Sequence, residues 1–343
     1  MMRLPLSWLL AFTTAALALL LLGSLATGPM TLTLGESLRA LFAGQESGIE
    51  SHKLLIVQEI RLPRTLLCIA VGGILGLCGA VMQGLFRNPL ADPGIIGVSG
   101  GAALGAALAI VLLAPLGQQL QATIGVGLLP LLAFLGGALT TTLVYLLGTR
   151  EGGTSVTVML LAGVATTALS GAVIGLLTYL ADDQMLRNLS LWQMGTLAAG
   201  KPADVALALL TLAALLWFFM HDANPLNALL LGEGEARHLG VNVQSLKRRL
   251  ILLTAAGVGV AVAVSGMIGF VGLVVPHLVR LLAGPNHVRL LPLSALLGAA
   301  LLLAADMLAR TLLAPAELPV GIITALLGAP FFIWLLVKGR RAL

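Results

Sequence analysis

Residues 61–102 of this chain read RLPRTLLCIAVGGILGLCGAVMQGLFRNPLADPGIIGVSGGA. Two apolar runs in this stretch flank a polar hinge at 87–94, whose sequence is RNPLADPG. An apolar run of about 20 residues crosses a bilayer as a helix, and irregular backbone is not tolerated where it faces lipid. The stretch therefore predicts two membrane-spanning helices that are joined by a turn at a membrane surface.

The composition extends this prediction to the whole chain. Of the 343 residues, 59% are hydrophobic and 10% are charged, whereas soluble domains contain about 25% charged residues. The mean hydropathy is +1.05, and the 41 glycines are typical of helices that pack closely in lipid. We expect an all-α polytopic membrane protein with a single transmembrane domain over residues 1–343, surrounded by the lipid bilayer and without a nucleic-acid partner.

The hydropathy pattern predicts ten apolar spans, and hence about ten transmembrane helices per subunit. The spans cover approximately residues 5–27, 63–85, 95–115, 127–148, 155–180, 203–220, 250–267, 270–283, 291–309 and 319–337. The first is expected to be a retained helix, because it is longer than the core of a secretory signal. With both termini in the cytoplasm, most of the 19 Lys and Arg residues face the cytoplasm, as the positive-inside rule requires. Residues 184–195, outside the membrane, predict a short interfacial helix.

The longest inner loop, residues 221–249, reads HDANPLNALLLGEGEARHLGVNVQSLKRR. A helix is predicted to begin at Asn224, and a second one from Glu235 to Leu239 is predicted to stop at Gly240, a typical helix-ending glycine. The loop is a solvated connector or an interface. Exposed apolar side chains favour an interface, and four leucines of this loop are predicted to face the cytosol: Leu229, Leu230, Leu231 and Leu239.

The chain contains no phosphate-binding loop of the form G-x-x-x-x-G-K-[ST]. Its Gly200-Lys201 pair is followed by proline. The membrane spans contain no paired carboxylates, and the sequence has no Cys/His cluster with the spacing of metal ligands. The sequence therefore predicts neither catalytic nor metal-binding residues, and any ATP must be hydrolysed by a partner.

Several motifs resemble the permease subunits of bacterial ABC importers for iron complexes, haem and vitamin B12, the FecCD-like type II importers. They are the 61–102 stretch, GFVGLVVPHLVR at 269–280 and RTLLAPAELPVG at 310–321. The resemblance runs from Arg61 to Leu336. It implies a vitamin B12 permease-like fold in the inner membrane and a homodimer with a path at its two-fold axis. It also implies two cytoplasmic ATPase subunits and a periplasmic substrate-binding protein.

The resemblance assigns roles to three groups of residues. It implies that Arg61, Arg64 and Arg310 receive glutamates of the binding protein as partly exposed contacts, although arginines at helix ends also serve as interfacial anchors. It implies that Ser155 and Thr157 narrow a cytoplasmic gate, although small hydroxylated residues also pack helices. It further implies that the inner loop forms helices coupled to the ATPase, through Leu229, Leu230, Leu231, Gly234, Glu235, Ala236, Arg237, Leu239 and Gly240.

The cargo is predicted from two local stretches that look most like haem permeases. They are LRNLSLWQMG at 186–195 and ELPVGIITALLGAPFFIWLL at 317–336. We expect haem as a transported substrate, with no cofactor held permanently and with ATP acting through the partner. Ferric siderophores and cobalamin are the alternatives within the class. A more remote alternative is an ion-coupled carrier, which needs an acid at mid-membrane, where only Asp306 comes near.

Overall fold

The computed structural model describes residues 5–42, 50–114, 127–150, 153–198 and 200–340. Its helices, in chain order, are α1 (Leu6–Ala26), α2 (Leu34–Phe42), α3 (Ser51–Leu85), α4 (Val98–Val111), α5 (Leu128–Gly148), α6 (Val156–Leu180), α7 (Asp183–Gln193), α8 (Pro202–His221), α9 (Ala223–Leu230), α10 (Glu233–His238), α11 (Val243–Ser265), α12 (Val271–Ala283), α13 (His287–Ala309) and α14 (Val320–Arg340). Two short strands, β1 (Thr149–Arg150) and β2 (Gly153–Thr154), pair antiparallel between α5 and α6. The prediction of an almost wholly helical protein is confirmed.

Ten apolar helices of the described chain coincide with the ten predicted spans. Seven are long and apolar enough to cross a bilayer: α1, α3, α5, α6, α8, α11 and α13. The other three, α4, α12 and the apolar part of α14, are shorter. The short helix predicted near 184–195 is present as α7. Of the polar segments between spans, the inner loop is shorter than predicted, because Asn242 caps α11 by accepting a hydrogen bond from the Ser245 N–H (3.1 Å).

Helix α3 is the centre of the fold. It begins in α-helical geometry at Ser51–Leu55, widens to a π-helix over Ile56–Arg61 and continues as α-helix over Leu62–Leu85. Most of its apolar length is buried, and it packs against α8, α11, α12 and α13. A side chain at Gly72 would collide with the Gly298 carbonyl of α13. Small residues therefore let these two backbones approach closely, as contact-driven packing in lipid requires.

Two breaks in the helical structure meet inside the protein. One lies between α3 and α4 and contains the predicted Pro/Gly hinge, and the other separates α11 from α12. The residue just before the helix that follows each break has a positive φ: Gly97 (82°) before α4 and Phe270 (67°) before α12. A cavity of about 430 Å³, lined by residues of both breaks, lies between them. In the first break residues 87–90 are exposed, whereas Ala91 and Pro93 are buried, so the hinge runs from the surface of the chain to this cavity.

Candidate functional site

The C-terminal ends of α1 and α13 meet the N-terminal part of the α-helical segment of α3 in a cluster of charged side chains. Arg64 follows Pro63 in the first α-helical turn after the π-segment of α3, so its side chain points toward the last turn of α13. Its Nε donates to both carboxylate oxygens of Asp306 (3.0 and 3.1 Å), and Nη2 donates to Oδ1 (2.8 Å). Its Nη1 donates to Glu317 Oε2 (2.7 Å). One guanidinium therefore holds two carboxylates from different segments.

Arg310 lies on the other side of the same aspartate. Its Nε is 3.3 Å from Asp306 Oδ2, four residues earlier in the chain. Its Nη2 donates to Ser24 Oγ (2.5 Å), and its Nη1 donates to the Thr27 carbonyl at the end of α1 (3.3 Å). Asp306 is fully buried and contacts two arginines. This is how a carboxylate is retained in an apolar helix, since a buried charge must be paired.

Arg61 contacts backbone instead of carboxylates. Its Nη1 donates to the Leu25 and Ala26 carbonyls (2.7 and 2.8 Å), and its Nη2 donates to the Met30 carbonyl. These carbonyls lie at and beyond the C-terminal end of α1, where four acceptors of any helix lack intrahelical partners. Among the described residues no carboxylate lies within ion-pair distance of Arg61. The cluster thus contains three cations and two carboxylates, Asp306 and Glu317.

The expectation that these arginines are partly exposed is wrong for the isolated chain. The exposed fractions are 3% for Arg61, 5% for Arg64 and 2% for Arg310. The reason is the set of acceptors inside the chain, which holds each guanidinium inward. Glu317 is the more open member of the cluster, with 35% of its side chain exposed. A docking role for the three arginines stays a prediction.

The inner loop folds into the two short helices that the sequence predicts, although both begin earlier. Helix α9 starts at Ala223, and α10 starts at Glu233 and is followed by Gly240. Gly240 has φ of 83°, a conformation in which a Cβ is strained. Leu231 and Leu239 are 67% and 64% exposed.

The leucines of this loop do not all face outward. Leu230 is exposed like Leu231 and Leu239, but Leu229 is buried. The prediction of an exposed Leu229 is wrong, because α9 turns this side chain toward the helices above it, where it joins the main core. In α10, Ala236 is likewise buried, whereas Gly234, Glu235 and Arg237 are exposed. The exposed side chains of this loop are therefore both apolar and charged.

Polar contacts fasten the inner loop to the membrane helices. Asp222, just before α9, forms a two-point ion pair with Arg249 of α11. On α9, the Asn227 side-chain oxygen accepts the backbone N–H of His287 (2.8 Å) at the start of α13. Lys247 of α11 binds Glu233 of α10 (2.6 Å). The loop is therefore positioned by α11 and α13 and is not a loose connector.

The predicted gate residues lie at the first turn of α6. Ser155 is the N-cap, whose hydroxyl accepts the Val158 N–H at 3.5 Å. Both Ser155 and Thr157 are exposed in the single chain. The short hairpin formed by β1 and β2 precedes them directly. Their role in a gate is untested and remains a prediction.

The sequence reasoning missed three residues of these sites. The sequence indicates Asp306 only as the acid of an ion-coupled carrier, although its spacing of four residues from Arg310 is typical of a helical ion pair. Asn227 and Lys247 lie in the sequence within a polar loop. Their partners in the fold, His287 and Thr154, are distant in sequence, so no local pattern indicates them. No group of three or more His, Cys, Asp or Glu suited to a metal ion is found in the described part of the chain.

Ten apolar helices, with buried charges at one end and a fastened helical loop at the other, have the architecture of a polytopic membrane protein. The model of the FecCD transport family matches residues 16–338, and the chain belongs to this family. Its members are permeases of ABC importers, so the chain is a membrane transport subunit of the type II importer class. This membership decides against the ion-coupled carrier.

The relatives of this chain are named for different cargoes. The hemin transport system permease protein HmuU of Yersinia pestis is 46% identical over 336 residues, which cover 97% of this chain and 96% of the relative. The cobalamin import system permease protein BtuC of Halobacterium salinarum is 44% identical over 297 residues, or 87% of this chain and 77% of the relative.

A solved structure shows the same architecture. It is described as an inward-facing conformation of a metal-chelate type ABC transporter and has a TM-score of 0.82 and 34% sequence identity to this chain. The match covers 97% of this chain and 99% of the solved one.

Proposed function

We propose that this chain is the permease of a haem importer in the bacterial inner membrane, with both termini in the cytoplasm. Two copies form the path, two ATPase subunits bind the inner loops, and a periplasmic protein delivers haem. The observation that carries the cargo is the 46% identity to the hemin permease over nearly the whole of both chains. The haem-like stretches at 186–195 and 317–336 support the same cargo.

The proposed homodimer follows from apolar surface that the single chain leaves uncovered. In α6, an apolar helix of 25 residues, only 17% of the most apolar window is buried inside the chain. Leu161, Val164 and Leu169 of this helix are each about two-thirds exposed. A second copy packed along α6 covers part of this surface and brings the two α6 N-termini toward each other. Ser155 and Thr157 then face their symmetry mates and narrow the inner end of the path.

The proposed docking of the binding protein uses the outer arginine cluster. Because the cluster contains one cation more than carboxylates, it attracts an incoming carboxylate. Arginine pairs with carboxylates through two parallel hydrogen bonds, and Arg64 already shows this geometry with Asp306. A glutamate of the binding protein replaces Asp306 or Glu317 as an acceptor, or it approaches Arg61. The present acceptors of Arg61 are neutral backbone carbonyls.

The proposed contact with the ATPase uses the exposed side of α9 and α10. Leu230, Leu231 and Leu239 supply apolar area, and Glu235 and Arg237 beside them supply charge. An exposed apolar patch with a polar rim is typical of a protein interface. The missing phosphate-binding loop supports an ATPase that is a separate subunit.

Reconstituted vesicles test this proposal. Vesicles that contain the permease, its ATPase and its binding protein should accumulate haem when ATP is supplied, and should not accumulate it with a non-hydrolysable ATP analogue. Cobalamin and a ferric siderophore are the matched competitors, because relatives at 42–44% identity are named for cobalamin or vitamin B12. Uptake of either competitor without haem uptake contradicts the cargo and leaves the importer class intact.

A further inference from the structure

Lys247 is a buried cation that joins three elements on the inner side of the protein. Its side chain is 2% exposed. Its Nζ donates to Glu233 Oε1 (2.6 Å) in α10 and to the Thr154 carbonyl (3.0 Å) in β2. A buried ammonium group is stable only when its hydrogens find acceptors. The position of Lys247 in α11 is therefore tied to both the inner loop and the hairpin.

A second contact strengthens the hold of α11 on the hairpin. The side-chain oxygen of Gln244 accepts the Thr154 N–H (3.0 Å), so α11 binds both the N–H and the carbonyl of this residue. Gly153 packs against the Gln244 amide with φ of 111°, a conformation that favours glycine. Strand β2 thus has little freedom to move independently of the first turns of α11.

Thr154 is the residue directly before the N-cap of α6. Ser155 accepts the Val158 N–H, and Thr157 follows in the first helical turn. Because a peptide backbone joins Thr154 to these residues, a shift of β2 displaces the first turn of α6 in the same direction. Glu233 begins α10, which carries part of the cytoplasmic surface, so Lys247 lies midway between that surface and α6.

We propose that Lys247 is a positioning residue that passes a movement of α10 to the first turn of α6. This proposal deepens the proposed function, since it rests on the coupling role of the inner loop and on the gate. Glu233 is one-third exposed and is also 3.7 Å from Arg237, so contact with the ATPase on this surface acts on the Glu233 end of the link. Arg249 and Asp222 fasten α9 to α11 but do not reach β2.

The test compares Lys247→Met with Arg248→Met in the complete complex. Methionine keeps the length of the buried side chain but donates no hydrogen bond. Arg248 is the exposed neighbour on the same helix and controls for loss of one positive charge. The measurement is the number of cargo molecules transported per ATP hydrolysed. We expect Lys247→Met to lower this ratio about tenfold, the scale of a typical coupling between two sites, while basal hydrolysis persists and Arg248→Met matches the wild type.

A second variant keeps the test decisive if Lys247→Met fails to assemble. Glu233→Ala changes a partly exposed side chain and should lower the same ratio, and the double variant should be no worse than Lys247→Met alone. A wild-type ratio in Glu233→Ala, or a parallel loss of transport and hydrolysis in either variant, overturns the proposal. If the wild-type complex transports cobalamin or a ferric siderophore instead of haem, the ratio is measured with that cargo. An error in the proposed cargo therefore does not affect the test of Lys247.

Discussion

Arg64 of α3 and Asp306 of α13 are 242 positions apart in the chain and face each other across a buried helix crossing. Three hydrogen bonds join the guanidinium to the carboxylate. Arg310 approaches the same carboxylate from one turn further along. Asp306 is thus the common counter-ion of two buried arginines, and Arg64 has Glu317 as a second one.

The first prediction concerns the removal of that counter-ion. Loss of one partner from a buried ion pair leaves a charge unpaired, so Asp306→Asn should lower the free energy of unfolding by about 3 to 5 kcal/mol. Thermal unfolding of the purified protein in detergent measures the loss. Asp183→Asn, which changes an exposed aspartate, is the control and should be neutral. An unchanged midpoint in Asp306→Asn contradicts the stabilising role of the network.

The second prediction concerns Glu317, which competes for Arg64 with any carboxylate of a partner. Glu317→Gln removes this competitor while Asp306 keeps Arg64 in place. The affinity for the binding protein should rise about two- to fivefold, as expected for one partly exposed ion pair. Titration of the binding protein against the permease measures the affinity. Glu59→Gln controls for the loss of an outer negative charge, because Glu59 is exposed and lies on the same side.

The salt dependence of the affinity for the binding protein gives an independent check of the proposed docking. Screening over about 8 to 10 Å weakens exposed charge pairs as salt rises. Arg61→Gln should lower the affinity and flatten its salt dependence, since Arg61 is the cation without a carboxylate in the described cluster. If the wild type and Arg61→Gln bind the binding protein with equal affinity and equal salt dependence, Arg61 only caps the end of α1 and has no docking role.

Much of the fold could be predicted because the length of an apolar run is a local property. All ten predicted spans coincide with helices, and the stop at Gly240 follows from the need for positive φ. The outer cluster could not be predicted. Whether Arg64 faces solvent or Asp306 depends on how α3 crosses α13, and that crossing is set by small residues such as Gly72 and Gly298.

The inner loop shows the same limit at smaller scale. Its leucines are adjacent in sequence, yet Leu229 is buried and Leu231 is exposed, because each position on a helix turns by about 100°. Lys247 belongs to a run of three basic residues that predicts a solvated loop. In the fold it lies in α11 and is buried, while the next two basic residues remain exposed. The buried Thr154 carbonyl and the partly exposed Glu233 carboxylate are its acceptors.

The third prediction concerns Gly240, which ends the inner loop's second helix. A side chain there meets no neighbour within 4 Å, so a substitution tests backbone strain alone. Left-handed geometry costs a residue with a Cβ about 1 to 2 kcal/mol. Gly240→Ala should therefore shift α10 and reduce binding-protein-stimulated ATP hydrolysis. Gly35→Ala is the matched control, since its surroundings are also open and its φ is not positive. Equal stimulation in both variants contradicts a coupling role for this turn.

The fourth prediction is a pH dependence at Glu36 of α2. Hydrogen bonds from Lys53 and from the backbone and hydroxyl of Thr33 lower the pKa of Glu36 from 4.5 to about 2. A carboxylate with a lowered pKa stabilises the fold above its unfolded pKa, and this contribution is lost as pH falls from about 4.5 to about 2. The protection of residues 34–42 against hydrogen exchange, measured relative to the intrinsic exchange rate at each pH, should fall over this window. In Glu36→Gln this protection should already be reduced at pH 6 and should change less with pH.

The last prediction concerns the gate and separates it from simple helix packing. Thr157 is exposed in the first turn of α6, so a larger side chain fits the single chain without disturbing its core. If two α6 N-termini narrow the path, Thr157→Phe blocks the passage of a bulky cargo in both copies. Uptake should fall at least about tenfold, on the scale of typical functional couplings, while thermal stability and basal ATP hydrolysis are retained. Thr142→Phe, at an exposed threonine of α5, is the matched control and should transport normally. Normal uptake by Thr157→Phe means that this threonine only packs helices, and the gate must then be sought elsewhere along the path.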